Sequence, residues 1–96
     1  MEITIQQATN AHQEGKLDEA ERFYRTILKA QPNHLEANNN LGLLLENSGK
    51  LKEAEKYFRK AIELKPDLAE THNNLSNTLY KLNKFEEALD SCRKAI

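Results

Sequence analysis

Apolar residues recur along the chain at intervals of three and four positions, which is the spacing of one face of an α-helix. Clear examples are Leu41, Leu44 and Leu45 in one segment and Leu51, Ala54, Phe58, Ala61 and Ile62 in the next. The pattern is interrupted at glycine, asparagine and proline positions, where helices commonly end. We therefore predict an all-α fold with six helices over approximately 3–14, 17–30, 35–48, 51–64, 69–82 and 85–96.

The two prolines reveal an internal repeat, because Pro32 and Pro66 lie 34 residues apart and a fixed period of this length is typical of solenoid proteins. A shift by one period aligns the segment 15–20 with 49–54 and with 83–88, and each ends in Glu-Ala. The sequence predicts a single array with repeat one at 1–34, repeat two at 35–68 and a truncated repeat three at 69–96. Each repeat contributes two helices.

Two kinds of signal mark where the helices begin and end. Residues that tolerate a left-handed backbone should end the first helix of each repeat, namely Gly15, Gly49 and Asn83. After each proline the sequence predicts a capping box, formed by Asn33 with Glu36 and by Asp67 with Glu70.

The repeat resembles the tetratricopeptide repeat family. The residues that carry the resemblance are Leu41-Gly42-x-x-Leu45, Gly49, Ala54, Phe58, Ala61 and Pro66. The resemblance implies an α-solenoid of about three antiparallel helix pairs, stacked into a right-handed superhelix whose first helices line a concave groove. Stacking is also expected on physical grounds, because one helix pair cannot bury its apolar stripe alone.

Charge and composition exclude several classes of function. The net charge is −1, so the chain lacks the excess of cations that nucleic-acid binding requires. It has no apolar run long enough for a membrane span and no export leader at its N-terminus. A single cysteine, Cys92, fits a reducing compartment. We expect a cytoplasmic protein without nucleic-acid or membrane partners.

The sequence offers no catalytic or cofactor site. His12, His34 and His72 are not spaced as metal ligands on one helical face. Cys92 falls at the repeat position of Tyr24 and Phe58 and is interpreted as a core side chain rather than a nucleophile. The prediction is a non-enzymatic protein with no metal and no cofactor.

A stripe of amide side chains is the candidate binding site. The positions predicted to face the groove are Gln6, Thr9, Gln13, Asn39, Asn40, Leu43, Asn73, Asn74, Asn77 and Tyr80. Amides both donate and accept hydrogen bonds, so a column of them could pair with the backbone of an extended peptide. Leu43 and Tyr80 would supply apolar contacts, although Tyr80 could instead pack on the turn at Asn83. The alternative is that the asparagines are only solvated polar positions.

One subset of these amides has a counterpart in a second family. Gln6, Asn40 and Asn74 occupy one repeat position and look like the asparagine ladder in the repeat arms of O-linked N-acetylglucosamine transferases. There the ladder holds the backbone of the substrate peptide. The resemblance implies a substrate-recognition arm whose catalytic domain lies beyond residue 96. The cationic clamp by which other tetratricopeptide repeats hold a C-terminal carboxylate is matched only at Asn40.

The C-terminal helix should expose an apolar surface. No further helix follows to cover Leu89, Cys92, Ala95 and Ile96, so we expect a fragment of a longer protein or self-association through this surface. The main prediction is a protein–protein interaction module that binds an extended peptide. A structural scaffold that acts by end-to-end stacking is the alternative. Charges that recur on the second helices, such as Lys50, Arg59 and Glu53, are interpreted as a mixed solvated surface.

Overall fold

The computed structural model describes residues 3–95 and confirms the all-α prediction. The six helices of this part of the chain are α1 (Ile5–Gln13), α2 (Leu17–Ala30), α3 (Leu35–Asn47), α4 (Leu51–Leu64), α5 (Ala69–Lys81) and α6 (Phe85–Ala95). They pack as three consecutive helix pairs, α1 with α2, α3 with α4 and α5 with α6, and each pair leans on the next. The array is an elongated α-solenoid of 43 × 24 × 19 Å.

The first helix of every repeat ends in the same way. The left-handed residues are the predicted ones, with φ of 78° at Gly15, 81° at Gly49 and 65° at Asn83. In each case the next N–H bonds back to a carbonyl five residues earlier: Lys16 to Ala11 at 2.9 Å, Lys50 to Leu45 at 2.9 Å and Lys84 to Leu79 at 2.8 Å. Such a bond satisfies a carbonyl that the helix leaves open. The turn between the paired helices is therefore built identically three times.

The predicted capping boxes after the prolines are wrong. Helix α3 is capped one residue later than predicted, by His34, whose Nδ1 accepts from the Ala37 N–H at 3.2 Å. Asn33 instead lies inside a turn that the His34 N–H closes on the Gln31 carbonyl at 3.1 Å. Helix α5 begins after Leu68 without any side-chain cap. A capping box does form at α1, between Thr4 and Gln7, so this helix begins at Ile5 rather than at residue 3.

The helices are arranged so that the first helix of each repeat lies on the inner side of the array. Helix α3 contacts both α1 and α5, whereas within residues 3–95 no Cα atom of α2 comes within 8 Å of one in α4, and the same holds for α4 and α6. Elements on the inner side of a curved stack approach each other more closely than those on the outer side. Helices α1, α3 and α5 therefore form the inner surface, and α2, α4 and α6 form the outer one.

The core is made of repeat-equivalent residues that the next repeat covers. Tyr24 and Phe58 are both fully buried, with α3 packed on α2 and α5 packed on α4. The ring of Phe58 lies so close to Gly42 that a Cβ there would be 2.8 Å from two ring carbons. At the equivalent place in repeat three, Ser76 Oγ donates to the Ala88 carbonyl at 2.8 Å.

Cys92 is the exception, and its interpretation as a core side chain is wrong. It is exposed, because no helix of the described chain packs on α6 from the outer end. Leu89 is 52% exposed for the same reason, while Ser91 is buried. Ala95 is half-buried, and Ile96 lies outside the described residues. The predicted uncovered surface is thus present at Leu89 and Cys92.

The charges of the second helices, which were predicted only as a mixed solvated surface, also link neighbouring repeats. Arg25 contacts Glu53 at 3.3 Å, and one repeat later Arg59 contacts Glu87 at 2.7 Å. A second series pairs Lys50 with Glu21 at 3.7 Å and Lys84 with Glu55 at 3.1 Å. Exposed ion pairs of this kind add little stability individually, but their repetition matches the charges of each repeat to those of the next.

Candidate functional site

The predicted groove residues lie on the three helices of the inner surface. Gln6, Gln13, Asn73, Asn77 and Tyr80 are exposed, whereas Thr9, Asn39, Asn40, Leu43 and Asn74 are half-buried. The exposed members can meet a ligand directly. The half-buried members include both asparagines of the proposed ladder, so what these two contact within the protein decides how free they are to bind.

Asn40 lies beside a buried phenol inside the protein. The hydroxyl of Tyr24 reaches from α2 to the boundary between α1 and α3, where it lies 3.0 Å from His12 Nδ1. Burial and the negative charge of Glu36 raise the pKa of Tyr24 to about 12, against the opposing effect of a hydrogen bond from Asn40. The phenol is therefore protonated at neutral pH; it shares a hydrogen bond with His12, and the Asn40 side chain lies close enough to its oxygen to affect its pKa.

Burial favours the neutral form of His12. Burial lowers the pKa of His12 below its ordinary value of 6.5, because a partly desolvated imidazole binds a proton less readily. The imidazole packs edge-on against the Tyr24 ring, with 5.8 Å between centroids. His12, Tyr24 and Asn40 thus form one polar cluster beneath the inner surface.

Asn74 has no such partner. It occupies the repeat position of Asn40, but the residue equivalent to Tyr24 is Phe58, which lacks the hydroxyl. The Nδ2 atom of Asn74 is buried and makes no hydrogen bond. A buried donor without an acceptor costs about 1–3 kcal/mol. Of the two ladder asparagines, Asn74 is the one whose amide nitrogen is buried without a partner in the protein.

Other polar residues on the inner helices are occupied in joining α3 to α5. Thr71 Oγ1 donates to Asn39 Oδ1 at 3.1 Å, and Thr78 Oγ1 contacts Glu46 Oε2 at 3.2 Å. Glu46 is buried, and Lys81 lies 3.6 Å from its carboxylate. Glu46 was not a predicted site residue, although a carboxylate directly after the apolar run 43–45 is the kind of signal that could have indicated a contact between repeats.

Two further polar residues serve the turns between repeats. Asn38 Nδ2 donates to the Pro32 carbonyl at 3.1 Å, and one period later His72 Nε2 donates to the Pro66 carbonyl at 2.7 Å. Both side chains are buried. They hold the proline turns in place and are structural rather than ligand-binding residues.

Tyr80 is positioned at the edge of the surface. Its side chain is 65% exposed and packs edge-on against Phe85, with 5.3 Å between ring centroids. The turn residue Asn83 bonds to Tyr80 only through the backbone, N–H to carbonyl at 3.0 Å. The ring is thus supported by Phe85 and open to solvent on its other side.

Two features of residues 3–95 concern membrane spans and metal sites. None of the helices there is both long and apolar enough to cross a membrane. No three side chains of His, Cys, Asp or Glu come together there in a way that could hold a metal ion.

Comparison with known families decides what kind of repeat this is. Tetratricopeptide repeat models match residues 5–69 and residues 69–96. The chain belongs to the tetratricopeptide repeat family. The family and the fold together support a module for protein–protein interaction. The likeness of the groove amides to the glycosyltransferase ladder stays a prediction.

Solved tetratricopeptide repeat structures of MamA have the same arrangement. A structure of MamA from AMB-1 superposes with a TM-score of 0.88 at 27% identity over 93% of this chain and 49% of that one. MamA from MSR-1 gives a TM-score of 0.85 at 27% identity over 93% and 51%. The chain thus spans about half the length of these MamA chains. A comparison with curated proteins found no significant match.

Proposed function

We propose that this tetratricopeptide repeat chain binds an extended peptide segment of a partner protein along α1, α3 and α5. The observation that carries the proposal is the buried amide nitrogen of Asn74, which has no acceptor within the protein, on a half-buried side chain of the inner surface; rotation of this amide would bring the donor to a ligand. Asn73 and Asn77, on the same helix, are exposed. A backbone carbonyl of the ligand is the acceptor that this region lacks.

The other repeats support the same ligand. Asn40 is half-buried on α3 beside Tyr24, and its amide can donate to or accept from a ligand backbone. Gln6 donates to Asn10 at 2.9 Å, an exposed contact that water or a ligand can replace at little cost. Half-buried Leu43 offers an apolar contact between the two asparagines. Contacts of this kind read the backbone rather than the sequence of the partner.

Substitution of both ladder asparagines tests the proposal. We expect Asn40→Ala with Asn74→Ala to weaken binding roughly tenfold, because each lost hydrogen bond contributes about 0.5–1.5 kcal/mol. The probe is a labelled, uncharged peptide of serine, threonine and proline, whose backbone favours an extended conformation. Binding is measured by fluorescence anisotropy.

The control for this experiment is Lys52→Ala. Lys52 is exposed on α4, on the outer surface, and its loss should leave affinity unchanged. Circular dichroism of both variants should show unchanged helicity. If the double variant binds the peptide as tightly as the parent protein, the groove is not the binding site.

The uncovered surface of α6 favours a second function, self-association. Leu89 and Phe85 are 52% and 54% exposed, and Cys92 is exposed beside them on the same helix. Leu89 occupies the position of Glu21 and Glu55 in the other repeats, so a glutamate there is compatible with the fold. Burial of such a surface against another copy would stabilise an oligomer.

Leu89→Glu tests this second function. We expect the parent protein to form larger species as its concentration rises and the variant to remain monomeric, because a buried carboxylate opposes association. Static light scattering over a concentration series measures both. A parent protein that stays monomeric up to millimolar concentration would exclude self-association.

A further inference from the structure

A groove lies between the second helices α2 and α4, on the outer surface and away from the ladder asparagines. Its volume is about 670 Å³, which is within the range of pockets that hold small ligands or peptide side chains. The space exists because the backbones of α2 and α4 diverge and only long side chains bridge them, such as Arg25, whose Nη1 lies 3.2 Å from the Tyr57 hydroxyl. Leu28, Pro32 and Tyr57 line it with apolar surface.

The groove carries an excess of unpaired positive charge. Lys29, Lys56 and Lys60 line it, and within residues 3–95 none of their ammonium groups lies within 4.0 Å of a carboxylate. The two arginines of the groove differ, since Arg25 and Arg59 are each paired with carboxylates of their own and the next repeat. The lysines are thus the charges that a ligand can use. Lys56 Nζ lies 5.2 Å from the centre of the Tyr57 ring, at the junction of the apolar and charged parts.

The repeat itself shows that this chemistry is not required by the fold. At the equivalent positions between α4 and α6, Lys29 is replaced by Glu63, Lys56 by Asp90 and Tyr57 by Ser91. The groove there is smaller, about 240 Å³. Two cations and an aromatic ring are therefore specific to the groove between α2 and α4, where Glu63 is the one carboxylate among the lining residues described.

We propose that the groove between α2 and α4 docks a short acidic peptide segment with one apolar anchor side chain. The anchor would pack on Leu28 and Tyr57, and flanking carboxylates would pair with Lys29 and Lys56. Charge complementarity favours an acidic ligand, because three lysines face a single carboxylate in this groove, and a peptide, unlike a planar membrane, can place one side chain between α2 and α4. Three lysines in a chain of net charge −1 are also too few to compete for nucleic acid.

The test uses a fluorescein-labelled peptide in which one leucine is flanked on both sides by glutamates. A peptide with glutamines in place of the glutamates is its control. We expect the acidic peptide to bind at least about tenfold more tightly than the glutamine peptide, and its affinity to fall as salt is added. Lys29→Glu with Lys56→Asp should weaken acidic-peptide binding by at least about tenfold. Glutamate and aspartate already occupy the equivalent positions in the next repeat, at Glu63 and Asp90, so the variant should fold.

A gain-of-affinity variant keeps the test independent of folding. Glu63→Lys places in repeat two the lysine that repeat one has at Lys29. We expect this variant to bind the acidic peptide roughly a few-fold more tightly than the parent protein. Asn40→Ala with Asn74→Ala should leave this binding unchanged, which separates it from the peptide site of the inner surface.

Three results would overturn the proposal. The first is equal affinity of the charge-reversed and parent proteins for the acidic peptide. The second is loss of that binding in the asparagine variant, which would place the peptide on the inner surface. The third is binding to vesicles of phosphatidylserine and phosphatidylcholine, sensitive to the charge reversal, without any binding of the peptide. That result would identify a lipid surface as the ligand.

Discussion

Phe58→Ala should lower the free energy of unfolding by about 3–5 kcal/mol, the usual cost of removing a buried aromatic ring. Phe58 is fully buried where α3, α4 and α5 meet, so the lost contacts belong to two repeats at once. A domain of this size has only about 5–15 kcal/mol of stability in total. Urea unfolding followed by circular dichroism should therefore show a large fall in the midpoint.

The matched control is Cys92→Ala, at the same repeat position one period later. Cys92 is exposed, and an exposed substitution usually changes stability by no more than about 0.5 kcal/mol. Comparison of the two variants separates the effect of the repeat position from the effect of burial. Equal and small losses in both would mean that α5 does not pack on Phe58 in solution.

Gly42→Val should destabilise the protein by about 3 kcal/mol, at the upper end of the usual cost of overpacking a core. A Cβ at this position would lie 2.8 Å from two carbons of the Phe58 ring, which is enclosed on all sides and has nowhere to move. Valine gains only a few tenths of a kcal/mol of helix propensity over glycine, roughly, which is too little to offset the clash. The same urea titration measures the effect.

A double variant shows whether the clash with the ring is the cause. In a Phe58→Ala background the space next to Gly42 is empty, so Gly42→Val should then cost far less or even restore stability. Repeat three already combines larger Ser76 with smaller Cys92 at these two positions, which shows that the pair can be varied together. Additive losses in the double variant would contradict a direct contact.

The fold was predictable because each of its determinants is local or periodic. Pro32 and Pro66 define the period, and the left-handed residues Gly15, Gly49 and Asn83 end each first helix by a bond between neighbours in sequence. The helix limits therefore agree with the structure to within two residues. Repetition reinforces the prediction, since every signal occurs more than once.

Errors arose where a residue's role depends on what packs against it. Cys92 shares a repeat position with Phe58, but that position is buried only when a further helix covers it. Asn33 has the chemistry of a cap, yet the turn at Pro32 is closed by the His34 N–H, which leaves Asn33 outside the helix start. The packing of neighbouring elements decides whether Cys92 is buried and whether Asn33 caps α3. The repeat period alone does not specify that packing.

The candidate site was predictable only as a set of positions. Amides at 34-residue intervals indicate that Gln6, Asn40 and Asn74 share a face, but not which of them has a free donor. That depends on whether Tyr24 or Phe58 lies beneath, across a contact between helices. The lysines of the outer groove escaped notice for a related reason. Lys29 lies on α2 and Lys56 on α4, so they line one groove only because neighbouring repeats stack.

A single oxygen atom in the interior makes two otherwise identical surface positions unequal. Asn40 has the polar phenol of Tyr24 as a neighbour inside the protein, whereas the amide nitrogen of Asn74, in the repeat that has Phe58 instead, has no partner there. A peptide lying across both asparagines would be bound more tightly at one end than at the other. The array would therefore favour one orientation of the bound peptide. Exchange of the two rings, Tyr24→Phe with Phe58→Tyr, would reverse the favoured orientation of the peptide without altering any atom that the peptide touches.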